Sequence, residues 1–102
     1  MIIYNVTISV EENIKSDWIK WMQEVHIPEV MATGIFTKAQ LNRLIVQGDS
    51  DKTYTIAYTC STIKDLHEYQ MKFATKLQQK HVARYGEKVV AFRTVMEVMG
   101  EF

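Results

Sequence analysis

A chain of 102 residues with 12 basic and 12 acidic side chains carries no net charge. It therefore lacks the global field that draws nucleic acid or an anionic membrane surface to a protein. Apolar residues make up 47% of the chain while Pro and Gly are scarce, which excludes a disordered tail and fits a single compact domain spanning 1–102.

In chain order, the first predicted element is a strand. Residues 2–10 alternate, with Tyr4, Val6, Ile8 and Val10 on one side and Ile3, Asn5, Thr7 and Ser9 on the other, the period of a half-buried strand. Nothing in this N-terminal stretch has the basic segment or long apolar run of a secretion signal. Asn13 can cap a helix that places Ile14, Trp18, Trp21, Met22 and Val25 on one face. Ile27 precedes the only proline, Pro28, and is biased away from helical dihedrals. A break is expected there, with a short second helix starting at Pro28 and ending in a left-handed cap at Gly34.

A strand with imperfect alternation comes next over 36–47, then the turn-rich GDSDK over 48–52. A cleaner strand covers 53–60, with Tyr54, Ile56, Tyr58 and Cys60 facing one way. Cys60 is the only cysteine, so it forms no intrachain disulfide; a buried thiol in a reducing, cytoplasmic setting is expected. Thr62 and Asp65 have the spacing of a capping box. The helix they start carries Leu66, Phe73, Leu77 and His81 as its stripe and stops at Gly86. A last strand covers 88–99. No apolar run approaches the roughly 20 residues of a membrane helix.

The order β-α-β-β-α-β predicts an α+β, ferredoxin-like fold: a four-stranded antiparallel sheet with two helices on one face. The other face is left open. Alternation assigns Asn5, Thr7, Thr55, Thr59 and, on the last strand, Val89, Ala91, Arg93, Val95 and Glu97 to that open face, with Val90, Phe92, Thr94, Met96 and Val98 turned to the helices. The face of Arg43 stays open, because Leu44, Ile45 and Val46 are apolar in succession. A face of this mixed character predicts a homodimer formed by packing it on a second copy.

The segment W-x-x-W-x-x-x-x-H-x-P-x-x-x-x-x-G, made by Trp18, Trp21, His26, Pro28 and Gly34, resembles the dimeric α+β-barrel superfamily. Nearly the whole chain is similar to a small bacterial family known as a domain of unknown function. The wider superfamily implies conflicting activities: cofactor-free monooxygenases, haem-degrading enzymes, muconolactone-type isomerases, dehalogenating or ring-processing enzymes and stress proteins. A fold alone does not choose among these.

His26 is the candidate catalytic residue, a general base at the edge of a cleft. The other reading makes it a partner for backbone opened by Pro28. Arg93, Arg43 and Asn5 are the candidate ligand-binding groups. Arg93 either pairs with Glu97 or clamps a carboxylate or phosphate. His81 is expected to pack near a helix C-terminus, where a cation is favoured, and His67 to be solvated. The three histidines lack metal-ligand spacing, and no axial haem ligand can be assigned among them. No phosphate-loop, dinucleotide or C-x-x-C motif is present, so no metal or cofactor is expected. TYTIAYTC lacks the basic residue of an RNA-binding strand. Two functions are expected from these features: a homodimeric ligand-binding or structural module, or a cofactor-independent, monooxygenase- or isomerase-like enzyme acting on a small organic acid or aromatic compound.

Overall fold

The computed structural model describes residues 1–45, 47–48 and 52–102. Strands β1 (Ile2–Val10), β2 (Lys38–Arg43), β3 (Thr53–Cys60) and β4 (Val89–Glu97) form one antiparallel sheet in the order β2-β3-β1-β4. The predicted α+β ferredoxin-like fold is thus observed. The hairpin loop expected over 48–52 falls largely outside the described residues, as does Val46. Helices α1 (Lys15–Trp21) and α2 (Ile27–Met31) form one arm, α3 (Ile63–Tyr69) and α4 (Thr75–Tyr85) the other. The core lies between these arms and the sheet, where Trp18, Met22, Val30 and Leu66 meet Ile56 and Val10, all essentially without exposure. Burial of each such side chain contributes about 1.5–3 kcal/mol.

The break expected at Ile27 does not form. The first arm runs on as helix, because a π turn over Met22–His26 joins α1 to α2. Ile27 keeps helical dihedrals and donates its N–H to the Met22 carbonyl, five residues back. The extra residue is inserted just before Pro28, which has no N–H to extend the ladder. The insertion also rotates the C-terminal part of the arm. Val25, expected on the apolar stripe, turns outward to 39% exposure, while His26, Ile27 and Val30 turn inward.

The second arm carries the same device. A π turn over Gln70–Ala74 joins α3 to α4. It shifts the stripe by one position, so Tyr69 and Ala74 are buried and Phe73 is only half-buried.

Asn13 makes no side-chain cap; a 3₁₀ turn over Glu12–Ile14 leads into α1 instead. Thr62 and Asp65 do form the capping box, with Asp65 N–H donating to Thr62 Oγ1 at 3.1 Å and Thr62 N–H to Asp65 Oδ2 at 3.2 Å. Gly34 ends the first arm with φ +77° and Gly86 the second with φ +55°, a region that side chains with a Cβ disfavour.

Strand register corrects one face. Directly opposed residues share a side of the sheet, and Arg93 lies opposite Val6, Val95 opposite Tyr4 and Ala91 opposite Ile8. The set Val89, Ala91, Arg93, Val95 and Glu97 therefore looks toward the helices, and Val90, Phe92, Thr94 and Met96 look to the open face, the reverse of the expectation. On β2 the face of Arg43 is now fixed: it lies opposite Tyr54, on the helix side.

Candidate functional site

One cleft opens between the helical arms and the sheet. Its floor comes from β1, β3 and β4 through Tyr4, Tyr58 and Arg93. Its roof comes from the arms through His26, Gln78 and His81. The cavity is about 40 Å³, room for one or two waters or a head group of a few atoms. The π turn Met22–His26 ends at His26, and the phase shift it introduces brings this side chain to the cleft.

The two histidines form the centre of an aromatic cluster. Their ring centroids are 5.7 Å apart. His26 stacks on Trp21 at 4.9 Å with 22° between planes. His81 accepts a hydrogen bond from Trp18 Nε1 at 3.0 Å. Behind Trp21, the Arg84 guanidinium lies 5.5 Å from the ring centroid. Arg84 Nε donates to the Tyr85 hydroxyl at 3.1 Å, and that hydroxyl donates to Asp17 Oδ2 at 2.8 Å. This brace holds the Arg84 guanidinium against the indole on which His26 stacks.

Burial sets the charge of the site. It lowers the pKa of His26, opposed by Glu29 and reinforced by Lys80 and Arg93. Burial lowers His81 further, to about 4, with His26 and Arg93 acting the same way. Both rings are therefore neutral at physiological pH. His81 is therefore not the cation that a helix C-terminus favours, because burial holds it neutral; Arg84 is the basic side chain of that last turn. Burial raises the Tyr4 hydroxyl, with Arg93 and Gln78 pulling against it, and raises Tyr69 to about 12. Tyr58 is also raised by burial. The phenols remain protonated and act as hydrogen-bonding groups.

One polar atom stands out. His26 Nδ1 is buried and has no hydrogen-bond partner among the described residues. Buried polar atoms are rarely left so, and this one belongs to a side chain lining the cavity.

Of the candidates read from the sequence, His26 and Arg93 come together at this cleft. Arg43 does not line it; β2 and β4 are the two edges of the sheet, which sets Arg43 apart from Arg93. Asn5 lies on the open face and donates to Thr7 Oγ1 at 3.2 Å. The anticipated pair of Arg93 with Glu97 is not among the ion pairs of the described residues. His67 is exposed as expected. His81, Tyr4, Tyr69 and Gln78 join the site without having stood out as site residues in the sequence. For Gln78 the signal lay in its place three residues before His81 on a buried stripe, one turn along the same face; Tyr69 reaches that face through the π turn over Gln70–Ala74. Among the described residues, no group of three or more His, Cys, Asp or Glu could hold a metal ion.

The model of the domain of unknown function DUF4286 matches residues 1–99 of this chain. No curated protein matches it. Solved structures with the same fold include a dimeric ferredoxin-like protein from an uncultured marine organism, 12% identical, with a TM-score of 0.72 over 99% of this chain and 97% of that one. A candidate antibiotic biosynthesis monooxygenase from Deinococcus radiodurans is 13% identical, with a TM-score of 0.71 over 100% and 96%. An ethyl tert-butyl ether D (EthD) family protein from Bacillus halodurans is 13% identical, with a TM-score of 0.69 over 97% and 100%. At these identities the likeness carries the fold. The chain belongs to the DUF4286 family, and the likeness of nearly the whole chain to a domain of unknown function holds.

Proposed function

We propose that this DUF4286 chain is a homodimeric ligand-binding module that seats the head group of a small organic acid in the cleft between its helices and sheet. The single observation carrying this reading is the meeting of Arg93, neutral His81 and the buried, unpartnered His26 Nδ1 around a cavity of about 40 Å³. A carboxylate fits a space of that size. Arg93 is exposed at the mouth and offers a planar fork to it. The organic body of the ligand would lie outward, along β4.

The dimer rests on the open face. There β4 exposes Val90 at 67%, Phe92 at 60% and Met96 at 45%, beside half-buried Ile3. An apolar row on an edge strand is what a second copy covers in a two-fold pair. The buried, single Cys60 suits a reducing cytoplasm, and no helix among the described residues is long and apolar enough to cross a membrane.

Calorimetric titration with benzoate tests the reading. Wild-type protein is expected to bind it, and Arg93→Ala to bind at least about tenfold more weakly, the loss of a charge-assisted pair. Equal affinity in the two proteins, or no binding by wild type, would overturn it.

One observation favours a second reading, a cofactor-independent enzyme with His26 as base. His26 is held neutral at physiological pH by burial, and its buried nitrogen borders the cavity. Such a base takes a proton from the carbon beside a carbonyl, while Arg93 holds the resulting enolate. Deuterium exchange into phenylpyruvate in heavy water is the measurement. Exchange above the buffer rate that is lost in His26→Ala supports it; exchange at the buffer rate removes it.

A further inference from the structure

We propose that His81 is a ligand-binding donor that holds the head group through its Nδ1–H, and that Trp18 is the positioning residue that fixes this tautomer. The inference rests on the reading of the cleft as an organic-acid site, and it adds which atom reads the ligand.

An indole N–H can only donate. Trp18 Nε1 lies 3.0 Å from His81 Nε2, so Nε2 must present its lone pair. A neutral imidazole then carries its one proton on Nδ1. The Trp18 end of this bond is shut from water, since Trp18 is not exposed at all. Trp18 is itself pinned, its ring 5.1 Å from Tyr54 on the sheet. His81 lines the cavity opposite Arg93. One of its nitrogens is engaged by Trp18, and the other carries an N–H with no hydrogen bond found among the described residues, which we assign to whatever occupies the space.

The chemistry of the occupant is set by these donors. Arg93 and His81 Nδ1–H both donate. They call for an oxygen that accepts two hydrogen bonds, such as an ionised carboxylate or an enolate. An ammonium group would meet the positive charge of Arg93. Because His81 stays neutral, its contribution is directional rather than coulombic: it selects where the oxygen sits.

The test uses ¹⁵N-labelled histidine in this 102-residue chain, with benzoate as probe. In wild type the His81 ring is expected to show the Nδ1–H pattern, and its Hδ1 resonance to move as benzoate saturates. In Trp18→Phe the ring is expected to gain the Nε2–H form, and benzoate affinity to fall at least about tenfold. A purely structural contact would lower the unfolding midpoint in Trp18→Phe without changing affinity, and that result overturns the inference while leaving benzoate binding intact. So does an Nε2–H pattern in wild type. Should Trp18→Phe not fold, the wild-type titration decides alone: an Hδ1 resonance unmoved at saturation overturns the assignment. Absence of benzoate binding by wild type removes the site reading and the inference together.

Discussion

Protonating His81 takes away the lone pair that Trp18 Nε1 binds at 3.0 Å and places a charge 5.7 Å from the His26 ring. The His81 pKa falls from 6.5 to about 4, first because burial penalises the charged ring and then through His26 and Arg93. Between these values the unfolded chain holds the proton and the folded chain does not, so stability is full above pH 6.5 and declines as pH drops toward 4. The loss is on the order of 3 kcal/mol for His81, and His26, shifted in the same direction, adds to it. Thermal melting at about pH 7 and about pH 4.5 is expected to show a large drop for wild type and a clearly smaller one for His81→Phe, even though that variant is less stable throughout. An equal drop in both would mean that His81 does not govern the acid response. His26 is legible from sequence because it stands two residues before the chain's only proline, where a break beside a cleft is expected. His81 is not, since a polar residue on an apolar stripe reads equally as packing until its partner, 63 residues earlier, is brought beside it.

At the scale of elements, both arms depart from regular helix at a π turn, and each turn displaces the buried stripe by one residue. A periodicity of about 3.6 identifies the arms and misses the displacement, so it places Val25 and Phe73 inward and overlooks Ala74. The phase of β4 is misread for a different reason. Val90, Phe92 and Met96 are more apolar than Ala91 and Arg93, and the more apolar side of a strand normally meets the core. Here the helices cover little of this edge strand, so only Val89 and Ala91 pack against the core and the apolar row faces away. Capping is legible because it is local: Thr62 and Asp65 are three residues apart and need no tertiary partner. Thr62→Ala is expected to lower stability by about 1 kcal/mol, seen as a lower urea midpoint with an unchanged slope. A changed slope would show that the cap also shapes the denatured chain.

The whole molecule measures 37 × 34 × 20 Å. Its short dimension is that of one helical layer on one sheet, and both helical arms lie on the same side of that sheet. An uncovered sheet face bearing Phe92 and Met96 is the feature from which the dimer is inferred. Phe92→Glu puts a charge in the middle of that row, and its burial without a partner would oppose association by several kcal/mol. Sedimentation is expected to give the mass of two chains for wild type and of one for Phe92→Glu, with circular dichroism unchanged. A wild-type protein that sediments as one chain at micromolar concentration would refute the pairing.

The chain's two tryptophans, Trp18 and Trp21, both lie against the histidine pair, one hydrogen-bonded to His81 and the other stacked on His26. All of the protein's indole emission therefore originates within a ring's width of the cleft. An imidazolium quenches a neighbouring excited indole far more than a neutral imidazole does. The intrinsic fluorescence of the unlabelled protein is thereby a built-in readout of cleft protonation and occupancy, and it requires no introduced probe.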